Sequence, residues 1–345
     1  MHLSTGSAMD SWRAAMSSDT AEASYWLNWR FALCALWVLA SVAASSVLIW
    51  RFECFGSPGG EENRDGKIGV LYEDEPWRPC LRTIHPVWLL IFRVFAFCLF
   101  LMLIVVNALA NGASILYYYT EWTFMLVTIY FGLGLLLSAY GCRQYTSEAY
   151  GHRIVRTKLN PEGGLDLAPT SGEIANGSHA MRNSAIEEGS NNRRTAGFAG
   201  YLFQIIYQTN AGAVLLTDFV FWLIIFPVLS MNDYGLSFLQ VGMHSINVVF
   251  LLGDAALNSL RFPWFRAAYF LLWTSIYVIF QWILHACVSI EWPYPFLDLS
   301  SVHSPIWYFI LAVLHVPVYA VFHLLVKMKH SLLMRWFPQS YYLAS

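Results

Sequence analysis

Six long apolar runs stand clear of their polar surroundings along this 345-residue chain: Phe31 to Trp50, Val87 to Ala110, Trp122 to Tyr140, Ala211 to Leu229, Trp264 to Ile290 and Trp307 to Val326. Each comes to about the twenty residues that a helix needs to cross the hydrocarbon core of a bilayer. A seventh run, Leu239 to Leu260, is as long but carries His244, Asn247, Asp254 and Asn258, which lowers its hydropathy. On a helix advancing ~100° per residue, the three later residues fall within ~80° of His244, to one side of it. A stripe that polar must face the interior of a bundle. The pattern predicts an all-α fold, a polytopic transmembrane helical bundle of about seven spans.

The basic residues divide the connections into two sets. Lys and Arg are retained on the cytoplasmic side of a membrane, and alternate connections hold five, seven, two and three of them, from Arg51 to Arg82, Arg143 to Arg194, Arg261 to Arg266 and Lys327 to Arg335. The intervening loops, Asn111 to Glu121, Ser230 to Phe238 and Glu291 to Pro305, contain none. Removing any one span would mix the two sets, so the pattern predicts seven, with the N-terminus outside and the C-terminus cytoplasmic. The expected organisation is an extramembrane segment over 1–28, an additional first helix over 29–50 and a cytoplasmic loop over 51–86. Two helices follow over 87–140, then a flexible cytoplasmic loop over 141–198, four helices over 199–330 and a cytoplasmic tail over 331–345.

Composition sharpens this picture. The chain is 57% hydrophobic and only 12% charged, too little polar surface to coat a soluble globule of its length. Its partner is therefore the lipid bilayer. A formal net charge of -2 provides no general basic surface and weighs against nucleic acid. The stretch from about Glu162 to Arg194 is rich in Gly, Ser, Asn and Thr and cannot bury enough apolar area to order itself. Its Asn176-Gly177-Ser178 sequon falls on the side away from the glycosylation machinery and is expected to be unmodified. The first 28 residues lack a cleavable signal, so the first span is expected to stay as a signal anchor. The six cysteines form no metal-type pair and are expected to be reduced thiols. No retrieval tail chooses between the endoplasmic reticulum and the plasma membrane for this integral multi-pass chain.

Chemistry is to be sought among polar residues inside the membrane, which cost free energy unless they meet a partner or a cavity. Depth along the helices sorts them into two levels. At the inner level lie Arg93, Asp254 and, by the same reckoning, Asp218; pairing Arg93 with Asp254 or Asp218 is the most economical arrangement and reads as a structural ion pair. At the outer level lie Thr120, His244 and His285, from distant parts of the sequence. A Thr hydroxyl becomes a nucleophile only beside a base, and a neutral His can serve. On spacing alone a plainer arrangement is favoured: Thr120 caps a helix that begins near Glu121, and each His is a satisfied polar residue between helices.

Four short motifs shift that balance. The string Tyr119-Thr120-Glu121-Trp122-Thr123-Phe124 before an apolar span resembles the nucleophile region of the androgen-induced-gene family of membrane threonine hydrolases, whose relatives include androgen-dependent and rolling-stone-like proteins. Gly242-Met243-His244-Ser245 resembles that family's Gly-Met-His-Thr element, Asp218 through Pro227 its Asp-plus-aromatic helix, and Trp292 to Leu297 its Trp-x-Tyr-Pro-Phe-Leu element. The motifs occur in the family's order and cover about two thirds of the chain. The resemblance implies intramembrane hydrolysis of fatty-acid esters of hydroxy fatty acids, with Thr120 as nucleophile, His244 as base and no metal or cofactor. His285 takes a supporting role, and Asn247, on the His244 stripe, is the other supporting candidate. The chain departs from the family in its first span, its long loop and Ser245, which stands where the family has Thr. Two other classes remain open: a non-catalytic seven-helix protein, receptor-like or structural, and a haem protein ligated by His244 and His285.

Overall fold

The computed structural model describes residues 20, 22–54, 69–159, 194–227, 238–288 and 290–341. Asn176 and its sequon lie outside them, as do the first residues of the chain. The described fold is helical: α1 (Trp29–Ile49), α2 (Pro86–Asn111), α3 (Tyr119–Leu159), α4 (Phe198–Val220), α5 (Ile246–Leu257), α6 (Ala267–Cys287) and α7 (Ser304–Trp336). Six helices among the described residues are long and apolar enough to cross a membrane, and a shorter apolar helix occupies Val241–Leu257. The chain is thus an integral, multi-pass membrane protein in character.

Helix starts follow local chemistry. The Asn28 side chain accepts the Phe31 amide at 3.0 Å and begins α1. Pro86 opens α2 behind His85, where a missing N–H costs nothing. Gly112, at φ 62°, ends α2 in a left-handed conformation that suits a residue without Cβ.

α4 is the central helix. Two thirds of its apolar window is buried (67%), against 17% for α1 and 22% for α2. Hydropathy placed this span at Ala211 to Leu229, but the helix starts at Phe198. Gln204, Gln208 and Asn210 depress the hydropathy there, yet they face inward. Both Gln side chains donate to the Arg261 carbonyl at 3.1 Å, and Asn210 donates to the Leu126 carbonyl at 3.3 Å. Two other boundaries also move. α3 continues through Leu159, so the first part of the segment expected to be a flexible loop over 141–198 is helical, and α7 runs past 330 to Trp336. Amphipathic sequence ends a hydropathy run without ending a helix.

An ion pair locks the interior. Arg93 and Asp254 are both fully buried; Nε meets Oδ1 at 2.7 Å and Nη2 meets Oδ2 at 3.2 Å. Of the two acidic partners the sequence offered Arg93, the fold therefore uses Asp254. The remaining Arg93 donors go to Ser138 Oγ and the Pro76 carbonyl, each at 2.7 Å, while Tyr130 and Asn258 donate to Asp254. The guanidinium also lies 4.9 Å from the Phe203 ring centre.

The described part of the 51–86 loop caps one end of the bundle. Leu71, Trp77 and Cys80 are buried, and isolated backbone bridges join Tyr72 to Thr195, Pro79 to Asn258 and Leu81 to Tyr341. Burial raises the pKa of the Cys80 thiol, which keeps it protonated and inert. Trp77 rests on Gly141, where a Cβ would fall 2.0 Å from the indole, and Phe270 rests on Gly212, where it would fall 2.2 Å from the ring. Gly141→Ala and Gly212→Ala should each destabilise the purified protein by about 1–3 kcal/mol through overpacking. Asp254→Asn, which strands the Arg93 charge, should cost about 3–5 kcal/mol. Thermal unfolding in detergent measures all three; an unchanged Tm for Asp254→Asn would refute the ion-pair assignment.

Candidate functional site

The end of the bundle opposite that cap holds the residues singled out for chemistry. α3 begins after a 3-10 turn over Gly112–Tyr117. The Tyr118 carbonyl accepts the amides of Glu121 at 3.1 Å and Trp122 at 3.3 Å, so Tyr118 occupies the start of the helix. Thr120 therefore lies inside the first turn and is not the cap expected from spacing. Its half-buried hydroxyl lies 3.5 Å from Tyr294 Oη, at the outer limit of a hydrogen bond. Burial pushes the Tyr294 phenol up to about 12, with a further push from Tyr118, so it stays neutral through physiological pH.

His244 sits in a break between the short helix Phe238–Met243 and α5. Its ring stacks on Phe221 with centroids 3.7 Å apart and planes 4° apart. The carbonyl released by the break accepts from Trp222 Nε1 at 2.9 Å. Phe221 and Trp222 belong to a widened helical turn, Phe221–Ile225, that continues α4. Asp218, one turn earlier, brings Oδ1 to 3.8 Å from His244 Nδ1, and Asn247 Nδ2 lies 3.5 Å from the same oxygen.

This placement corrects the depth assigned to Asp218. With α4 starting at Phe198, Asp218 lies about twenty residues along it, ~30 Å from its start. It belongs with His244, far from Arg93. Tyr130 and Asp254 are hydrogen-bonded, and Thr120 and His244 each precede one of them by about ten residues.

His285 belongs to a third network. It is fully buried, and its ring stacks on Trp292 at 3.7 Å and 7°. Its Nδ1 lies 2.7 Å from the Gln281 carbonyl, which can only accept, so Nδ1 carries the proton. Trp292 Nε1 donates to Tyr25 Oη at 2.9 Å, as does the Leu299 amide at 3.0 Å, and that hydroxyl donates to Asp298 at 2.6 Å. The three residues expected at one level are thus held in three local networks. No hydrogen bond joins Thr120, His244 and His285 to one another among the described residues. The networks of Thr120 and His285 meet through the 292–298 segment, while Asn247 serves Asp218. His244 and His285, paired in the haem reading, stack on different rings. No group of three or more His, Cys, Asp or Glu side chains among the described residues is placed to hold a metal ion.

One cluster escaped sequence reasoning. Thr274 Oγ1 lies 2.9 Å from His315 Nε2 and 2.8 Å from Tyr119 Oη. His315 stands within an apolar span, and an intramembrane ionisable residue is itself a signal. Its partner, on another helix, was not readable.

No protein-family model, curated protein or solved structure matches the chain. Its function is therefore read from residues and geometry. Tyr25→Phe removes the hub that ties the N-terminal segment to the 292–299 loop. The substitution should cost about 1–3 kcal/mol and speed protease cleavage ahead of α1 in a timed digest, while an unchanged digest would mean that the hub holds nothing.

Proposed function

We propose that this chain is a multi-pass membrane hydrolase of fatty-acid esters of hydroxy fatty acids, a member of the androgen-induced-gene family, with Thr120 as nucleophile and His244 as base. The observation that carries the reading is Asp218 at the Nδ1 face of His244, held in turn by Asn247. At 3.8 Å the two are at ion-pair distance and not hydrogen-bonded; on closing to hydrogen-bond distance a carboxylate there would fix the tautomer that leaves Nε2 free to take a proton, the relation of base to orienting acid in hydrolytic triads. The four motifs support it, since three of them supply Thr120, Asp218 and His244, and the fourth supplies the Tyr294 that touches Thr120.

In the reaction, His244 takes the Thr120 hydroxyl proton as Oγ1 attacks the ester carbonyl. The carbon–oxygen bond to the hydroxy fatty acid breaks, and that alcohol leaves with the proton. Water, activated by the same imidazole, then releases the fatty acid and restores Thr120. The reading requires Thr120 and His244, which no hydrogen bond joins among the described residues, to close on each other in the substrate complex. Tyr294, neutral and beside Thr120, is placed to steady the hydroxyl.

The same reading takes seven crossings, with α5 as the shorter one, the capped end cytoplasmic and the Thr120 end outside. Two sets of contacts support it. The bridges Tyr72 to Thr195, Pro79 to Asn258 and Leu81 to Tyr341 gather the basic connections at one end. Tyr25 with Asp298, and Thr120 with Tyr294, gather the N-terminal segment and non-basic connections at the other.

Detergent-purified protein should hydrolyse such esters and take a fluorophosphonate label at Thr120. Thr120→Ala and His244→Gln should abolish both, and Asp218→Asn should lower kcat by about 10²–10⁴-fold, with KM little changed. Full activity in Thr120→Ala would sink the assignment. In a cysteine-free background, Ser301→Cys should react with an impermeant maleimide on intact cells and Ser340→Cys only after permeabilisation. The opposite pattern would invert the topology.

A further inference from the structure

A cavity of about 50 Å³ lies between α1, α6 and α7. Its walls are Trp37 and Val38 of α1, Leu271 and Val278 of α6, Ala312 of α7, and Leu297 from the loop between them. A buried water needs roughly 10–15 Å³ on this measure, so the space would take about three to five water-sized spheres, or a few methylenes in their place.

The polar groups around it decide what fills it. Ser41 donates to the Trp37 carbonyl at 2.9 Å, Ser275 to the Leu271 carbonyl at 2.8 Å and Tyr308 to the Leu297 carbonyl at 3.0 Å. His315 Nδ1 lies 2.7 Å from the Leu311 carbonyl, which fixes the proton on Nδ1 and leaves a lone pair on Nε2. Thr274 must then donate to Nε2, and Tyr119 must donate to Thr274. Each of these polar side chains is bonded back into the protein, so the lining makes no demand for water. Cavities of that kind stay dry and accept hydrocarbon.

The cavity also adjoins the candidate site. Tyr119, which donates to the cavity's Thr274, immediately precedes Thr120. Tyr294, which touches Thr120, begins the turn whose last residue, Leu297, lines the cavity. Around it α1 and α7 present apolar residues to the surface, among them Leu36, Leu39, Phe309 and Val313. An occupant can therefore arrive from lipid.

We propose that this cavity is an acyl-chain pocket, holding the hydrocarbon tail of a lipid whose ester lies at Thr120; the second half rests on the hydrolase reading. The test is photolabelling of the purified full-length chain with a diazirine-bearing palmitate, mapped by mass spectrometry. Label should concentrate on the cavity-facing segments of α1, α6 and α7. Ala312→Trp, which fills the space, should cut it about tenfold, and Ser275→Leu should cut it in the same direction. Val313→Trp, its exposed neighbour on α7, should leave labelling unchanged. Hydrolysis of long-chain esters should fall in Ala312→Trp through KM, with short-chain esters spared. Label spread evenly over exposed faces such as that of α2, or indifferent to both cavity variants in folded protein, overturns the pocket even if Thr120-dependent hydrolysis is found. Label that follows Ala312 and Ser275 without any hydrolysis upholds the pocket and removes the hydrolase reading alone.

Discussion

A fully buried guanidinium in a lipid-embedded bundle is tolerable only while its charge and donors are met, and that requirement organises this structure. Arg93 on α2 reaches Asp254 on α5, Ser138 on α3 and the Pro76 carbonyl of the capping loop. Removing any one of these elements would leave a charge or a donor stranded in apolar surroundings, at a cost far above that of losing an exposed contact. The pair also explains how α5, short and polar beside the longer helices, keeps its place. Its last carbonyls are met by Lys329 Nζ, 2.8 Å from the Ala255 oxygen and 2.7 Å from that of Asn258, a cation at a helix C-terminus.

The first helix is built into the fold at both ends. At one end Tyr25 bonds Asp298, Trp292 and Leu299, and Arg30 donates to the Ser300 carbonyl at 2.7 Å. At the other, Glu53 accepts from Arg266 Nε at 2.6 Å, and that buried arginine also bonds Gln204 of α4 and the Gly69 carbonyl. α1 thus supplies a wall of the α1–α6–α7 cavity as well as a crossing. The span that departs from the resembling family is one of those against which a lipid chain would lie.

The bundle holds its polar residues in two settings. Around Arg93 and Arg266 the charged side chains are met by carboxylates, an amide and carbonyls. Asp218 Oδ2, His244 Nδ1 and His285 Nε2 are buried without a hydrogen-bond partner, as are Trp77 Nε1 and Gln208 Oε1 towards the capped end. Unmet buried polar atoms are costly wherever they fall, so saturation alone does not mark a site of chemistry.

The sequence by itself determined the class of protein, the approximate positions of α1, α2, α6 and α7, and the need for a partner to Arg93. These follow from hydropathy and charge, which each residue carries alone and a bilayer reads directly. The true start of α4 was hidden, because Gln204, Gln208 and Asn210 look the same in sequence whether they face water or a carbonyl. Misplacing that start misplaced Asp218, and with it the acid beside His244. The break at His244, the Tyr294 contact to Thr120 and the Thr274–His315 bond were likewise settled only by tertiary structure. Each depends on which two side chains packing brings within about 3.5 Å, and that is a property of pairs far apart in the chain, which no single residue records.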